Sequence, residues 1–177
     1  MPTLGNDPAS FSTYVYSLSN TENVVVGPLV TMPAPGGSVT ELGVYVNGYS
    51  GTVKAQGAIW TSTGSLVYAT PQATAPQGNP SVGGQSWMTW SVTNLWLGAG
   101  SYYIGWWRAP GGSSIWSLTS GTYYTGATPG SGGAGNLPTM SSSSGDPGAY
   151  LVYSSSFYPN NQFVPYWIIR WNAHPHG

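Results

Sequence analysis

Apolar and polar residues alternate along most of this chain. In VTELGVYVNGYS, residues 39–50, Leu42, Val44 and Val46 fall on one side and Glu41, Tyr45 and Asn47 on the other. In GTVKAQGAIWTSTGSLVY, residues 51–68, Val53, Ala55 and Ile59 share a face, opposed by Lys54, Gln56 and Trp60. A period of two is the signature of a half-buried strand, because successive side chains leave a strand on opposite sides. TSTGS then reads as a tight turn into Leu66-Val67-Tyr68, closing a hairpin. SWMTWSVTNLWLGAGSYYIGWW, residues 86–107, predicts two strands about Gly98-Ala99-Gly100. Met88, Trp90 and Val92 align on the first. Tyr102, Ile104 and Trp106 align on the second, opposed by Tyr103, Gly105 and Trp107. Further strands are predicted at Tyr14–Leu18, Val24–Met32, Ile115–Leu118, Tyr150–Tyr153 and Trp167–Trp171. No long stretch has a helical period.

The expected fold is therefore all-β: one domain over residues 1–177, an antiparallel jelly-roll-like β-sandwich of about nine to ten short strands with little or no helix. An all-β barrel is the alternative. Two segments stand outside the pattern. Residues 120–148 are rich in Gly, Ser, Thr and Pro, which makes them a surface loop or, since they include Tyr123 and Tyr124, a folded lid or partner-contacting arm. Residues 173–177, AHPHG, form a C-terminal tail.

Trp106 and Trp107 are neighbours on a strand, so they face opposite sides of the sheet. Alternation with Ile104 assigns Trp106 to the core. Trp107 falls with Tyr103 and Trp60 on the other face, where Gly105 leaves a gap that a flat ring can use. That face is either covered by another strand or loop, or held out to a partner. Trp60, Tyr103, Trp107, Tyr123 and Tyr124 are accordingly the candidate residues for binding a glycan or a protein partner. Arg108, at the strand end on the Trp106 side, is expected to reach water or stack on a ring.

Composition changes the picture in one respect. Only 3 Lys and Arg and 4 Asp and Glu occur in 177 residues, against a usual charged fraction of about 25%. The surface must be wetted by Ser, Thr, Asn, Gln and backbone amides, and such a surface repels its neighbours weakly. An oligomer or a place inside a larger assembly is expected. So few cations cannot neutralise a phosphate backbone, which argues against nucleic acid, and they supply no polybasic membrane anchor. No apolar run approaches the ~20 residues of a membrane span. The first residues, MPTLGNDPAS, lack the charged and apolar regions of a signal peptide. With no cysteine there is no disulfide framework and no Cys-based zinc site.

Catalysis finds little to work with. Asp7, Glu22, Glu41 and Asp146 are the only carboxylates, and none is paired in the sequence as glycoside hydrolysis requires. Asp7 and Asp146 sit in Pro-flanked stretches that read as turns. His174 and His176 are the only histidines, in the tail, with no third metal ligand beside them. There is no Gly-x-Ser-x-Gly elbow and no phosphate-binding loop. No enzyme activity, cofactor or metal is expected. Binding remains: 9 Trp and 13 Tyr exceed what one sandwich core needs, and exposed aromatic rings beside Asn, Gln and Ser suit sugars and protein interfaces alike.

Several local patterns carry a resemblance. TLGN opens the chain. VTMPAPGGSVTELGVYVNGYSG is a strand, a Met-Pro-x-x-Gly turn and a strand ending in Tyr-x-x-Gly. AIWTSTGSLV is a strand–Gly turn–strand hairpin, and LGAGSYYIGWW an Ala-Gly-x-Tyr strand. In this order, over roughly residues 24–108, the chain resembles the small jelly-roll domains of tailed-bacteriophage virion proteins, which are related to carbohydrate-binding-module-like sandwiches. The resemblance implies a free-standing, non-enzymatic structural protein on the virion surface, made in the host cytoplasm and released by lysis. Its partners would be major capsid or tail proteins. Lacking any fibre-shaft repeat, it reads as a capsid decoration protein. The alternative is a minor tail or receptor-binding protein that binds host glycans.

Overall fold

The alternating stretches become strands wherever one side of the alternation finds a core to face. The computed structural model describes residues 1–6, 14–17, 24–47, 54–75, 87–109, 114–126 and 132–155. Among them are ten strands and no helix: β1 (Thr3–Gly5), β2 (Tyr14–Ser17), β3 (Val24–Asn47), β4 (Lys54–Thr61), β5 (Leu66–Ala69), β6 (Ala73–Thr74), β7 (Trp87–Arg108), β8 (Ser114–Gly126), β9 (Ser141–Pro147) and β10 (Ala149–Ser154). Every pairing is antiparallel. The strand expected at Trp167–Trp171, the tail at 173–177 and its histidines, Asp7 and Glu22 lie outside the described residues.

Two long strands organise the sheet. Residues 24–32 of β3 pair with 100–107 of β7, and residues 36–45 of β3 pair with 87–98 of β7. The register shifts between Met32 and Gly36, where Pro33-Ala34-Pro35 has no counterpart but Ala99. Gly36 and Gly100 there adopt φ values of +114° and +154°, which side chains with a Cβ resist. The chain does not reverse at Gly98-Ala99-Gly100 as two separate strands would require. It bends, and β3 bends with it, so both strands pass from one layer of the fold into the other.

The upper layer has the order β9-β8-β3-β7-β4-β5, using the N-terminal half of β3 and the C-terminal half of β7, with β6 also pairing β4. The lower layer has the order β1-β10-β3-β7, using their other halves. The layers pack face to face: a Cβ on Gly57 of β4 would lie 2.8 Å from Leu42 of β3 and 3.3 Å from Trp90 of β7. The fold is thus an all-β, β-sandwich-like arrangement.

Between the layers lies one apolar core of Val25, Leu42, Val44, Ala55, Ile59, Met88, Val92, Ile104, Trp106, Leu151 and their neighbours. Leu42, Val44, Ala55, Ile59, Met88, Val92, Ile104 and Trp106 are residues that the period of two groups on shared strand faces; Val25 and Leu151 join them. Trp106 is fully buried, and its Nε1 finds no acceptor among the described residues. Burying an indole of about 150–250 Å² is worth about 4–6 kcal/mol at about 25 cal/mol per Å². An unmade hydrogen bond costs about 1–3 kcal/mol, so burial wins.

Candidate functional site

The outward side of the upper layer carries the residues that the sequence singles out. Cross-strand partners set them in rows. Leu29, Tyr103, Trp60 and Leu66 stand in one row, and Tyr124, Val26, Gly105, Ala58 and Ala69 in the next. Val24, Trp107 and Gln56 form a third. Alternation thus brings Trp60, Tyr103 and Trp107 to one face as expected, and β8 adds Tyr124, whose ring meets that of Tyr103 edge-on at 6.1 Å. Tyr123 lies on β8 opposite Ser143 of β9.

That face is not open. Residues 132–140 cross it as a strap, and Ala134, Leu137 and Met140 pack on a second core cluster of Val24, Val26, Ala58, Trp60 and Trp107. The strap is tied down at four points. Trp60 Nε1–H donates to Gly135 O at 2.7 Å, and Ala134 N–H donates to Gln56 Oε1 at 2.9 Å. Leu66 N–H donates to Asn136 Oδ1 at 2.9 Å, and Leu137 N–H donates to Gly64 O at 2.8 Å. Gln56 is itself held, its Nε2 donating to Thr70 O at 2.7 Å. Gly133 approaches Gln56 so closely that a Cβ there would lie 2.6 Å from Oε1, at a φ of +127°. The bond from Leu66 also caps a backbone N–H of the short strand β5, at the end of the sheet.

Five expectations are corrected here. Trp60 and Trp107 are 0% exposed, so with the strap in place they meet no glycan or protein partner. Of the two readings of the 120–148 segment the surface loop fails and the folded lid holds: its ends lie in the paired strands β8 and β9, and residues 132–140 are a lid made by the chain for itself. Asp146 lies in β9, opposite Leu118, rather than in a turn. Arg108 does not reach water; it is 0% exposed and partnered. Gly105 does not make room for a ring either, because a Cβ there would strike the Val25 carbonyl of the neighbouring strand. Tyr103 and Tyr124 are half-buried at the margin of the strap.

The outward side of the lower layer holds a second aromatic group, which the sequence reading passed over. Tyr45 pairs with Trp87, Gly43 with both Thr89 and Tyr150, and Glu41 with both Ser91 and Val152. The Trp87 ring meets Tyr45 at 5.2 Å and 64° and Tyr150 at 4.9 Å and 68°, both edge-to-face contacts. The Tyr150 ring lies over Gly43, where any Cβ would run into it. Its hydroxyl donates to Glu41 Oε1 at 2.6 Å. Burial, and then the hydrogen bond and negative charge of Glu41, push the Tyr150 hydroxyl well above the usual tyrosine value. Burial also raises Tyr45. Tyr150 therefore stays protonated and a donor across the physiological range. Tyr45 and Tyr150 are buried, Trp87 and Glu41 half-buried, and Thr89 and Ser91 exposed.

Among the described residues no three His, Asp or Glu side chains gather to hold a metal ion. No known protein family, curated protein or solved structure matches the chain.

Proposed function

We propose that the protein is a non-enzymatic structural subunit displayed on the surface of a bacteriophage virion, most simply a capsid decoration protein docked through uncharged polar and aromatic contacts. The observation that carries this reading is the near-absence of charge, seven ionisable Asp, Glu, Lys and Arg side chains in 177 residues. The exposed positions of β7 agree: Thr89, Ser91, Thr93 and Asn94 are all uncharged. A surface of this kind gains little from staying dispersed and loses little charge hydration on docking. The choice of a virion as the assembly rests on the resemblance of residues 24–108 to jelly-roll virion domains alone. Mass spectrometry of purified particles tests the reading. The subunit is expected at a fixed ratio to the major capsid protein, and its attachment is expected to survive high salt, since so few charges can be screened. Absence from the particles overturns it.

A further inference from the structure

We propose that the outer edge of β7 over residues 87–91 is a self-pairing interface, to which a second copy of this chain adds its own β7 antiparallel about a two-fold axis at Thr89. This goes beyond the particle-surface reading and stands without it.

The edge arises from the way β7 changes layers. In the upper layer β7 lies between β3 and β4, and β4 accompanies it from Arg108 back to Tyr102. Beyond that pair, Ser62 N–H donates to Ser101 O at 3.2 Å, and the chain turns away into β5. Below the corner β3 still pairs one side of β7, from Tyr45 with Trp87 to Glu41 with Ser91. Among the described residues no strand pairs with the other side of β7 between Met88 and Ser91. The edge of a strand presents a row of N–H and C=O groups, and what satisfies such a row is another strand. Edges are usually blunted by shortness, by Pro or by charge. The opposite edge of this layer follows that rule, since β1 has 3 residues and is preceded by Pro2. The edge of β7 does not: residues 87–98 contain no Pro and no charged side chain.

A neighbouring bulge sets the register. Between the pairs Glu41–Ser91 and Val39–Leu95, β7 has Val92, Thr93 and Asn94 where β3 has Thr40 alone, and Asn94 adopts a φ of +59°. A bulge bends and twists its strand, which confines flat pairing to residues 87–91. An isologous contact needs a two-fold axis, and an axis at Thr89 is the one that pairs this whole stretch with its own copy. It sets Thr89 against Thr89 of the partner subunit and Met88 against Trp90 of the partner subunit. Thr–Thr pairs are favourable across antiparallel strands, whereas any charge on the axis would meet its like. Met88 and Trp90 belong to the core side, and Trp90 is half-buried. Its ring is placed to take the methionine thioether of the other copy. The two lower layers then join, β7 to β7, into one continuous sheet. The contact is small beside that of a permanent dimer, so the association is reversible and depends on concentration.

Sedimentation velocity of the full chain across the micromolar range tests this. The average mass is expected to rise with concentration from that of one chain toward that of two. Thr89→Lys, at an exposed position, brings two ammonium groups together at the axis and is expected to weaken pairing by about tenfold or more. Thr89→Glu is expected to do the same. Mixing the two variants sets Lys against Glu and is expected to restore a mixed dimer, which a mere disturbance of either fold would not do. Gln72→Lys, exposed elsewhere on the chain, is expected to leave association unchanged. A chain that stays monomeric throughout, a dimer indifferent to Thr89→Lys, or variants that do not recover on mixing overturns the proposal. So does concentration-independent protection of the edge amides of residues 88–90 in a monomer, measured by hydrogen exchange, because the chain itself would then fill the edge.

Discussion

Both outer faces of the sandwich carry tryptophan and tyrosine on paired strands, and they are finished differently. On the upper layer, Trp60, Trp107, Tyr103 and Tyr124 are roofed by residues 132–140, and four polar groups of that roof bond down to the strands and turn beneath it. On the lower layer, Tyr45, Trp87 and Tyr150 brace one another, and beside them Thr89 and Ser91 are exposed while Glu41 is half-buried and accepts from Tyr150. An aromatic face is therefore not in itself a binding surface. What separates the two is where the hydrogen-bonding groups point: inward to the chain's own backbone in one case, outward in the other.

The largest effect is expected from removing the strap. Replacing residues 132–140 by a short Gly-Ser linker uncovers the second core cluster. The loss should exceed that of any single substitution, with dye binding to exposed apolar surface as the readout. A stable, soluble deletion that binds no dye would mean the strap is an accessory rather than a core layer. Next come the two tryptophans. Alternation puts Trp106 inside and leaves Trp107 the cheaper one to lose, but both are fully enclosed. Trp106→Ala and Trp107→Ala should each cost about 3–5 kcal/mol in denaturant unfolding. A Trp107→Ala cost under about 1 kcal/mol would mean its face is open.

Gln56→Ala should cost less, about 1–3 kcal/mol, because it leaves the Ala134 amide without its partner under the strap. Tyr150→Phe should be smallest, about 0.5–1.5 kcal/mol at neutral pH. Its signature is in alkali. The folded-state Tyr150 hydroxyl is raised above the ordinary 10.0, so its contribution is complete below that pH and is lost as the pH rises beyond it. Wild-type stability should fall from about pH 10 upward, and Tyr150→Phe should fall less steeply. Tyr45, raised in the same direction, keeps some of the slope.

The strands were legible because each had one face in the core and so a clean period of two. Leu42, Val44, Ala55, Ile59, Ile104 and Trp106 all fall inward as their spacing requires. In the sequence, the bend at Gly98–Gly100 has the look of a break between two strands. The composition of a corner resembles that of a turn, and only the continued pairing with β3, Gly100 with Met32 and Gly98 with Gly36, separates them. The sequence offers a folded lid within residues 120–148 as one alternative, but not where it docks. Ala134-Gly135-Asn136-Leu137 has no periodicity, and its place is set by partners some 70 or more residues earlier, Gln56, Trp60 and Leu66. The Glu41–Tyr150 pair is hidden for the same reason, since its members lie 109 residues apart and meet only through the register of β3 with β10.

The central claim is that the upper aromatic face is interior while the tryptophans elsewhere are not all so. Hydrogen exchange of the individual indole N–H groups, followed by nuclear magnetic resonance, addresses it residue by residue. Trp60, donating to Gly135 beneath the strap, and the fully enclosed Trp106 and Trp107 should exchange only with global unfolding. Trp96, 39% exposed, should exchange far sooner. Exchange of Trp60 and Trp107 as fast as that of Trp96, with Trp106 still protected, would contradict the account and return the upper face to the surface.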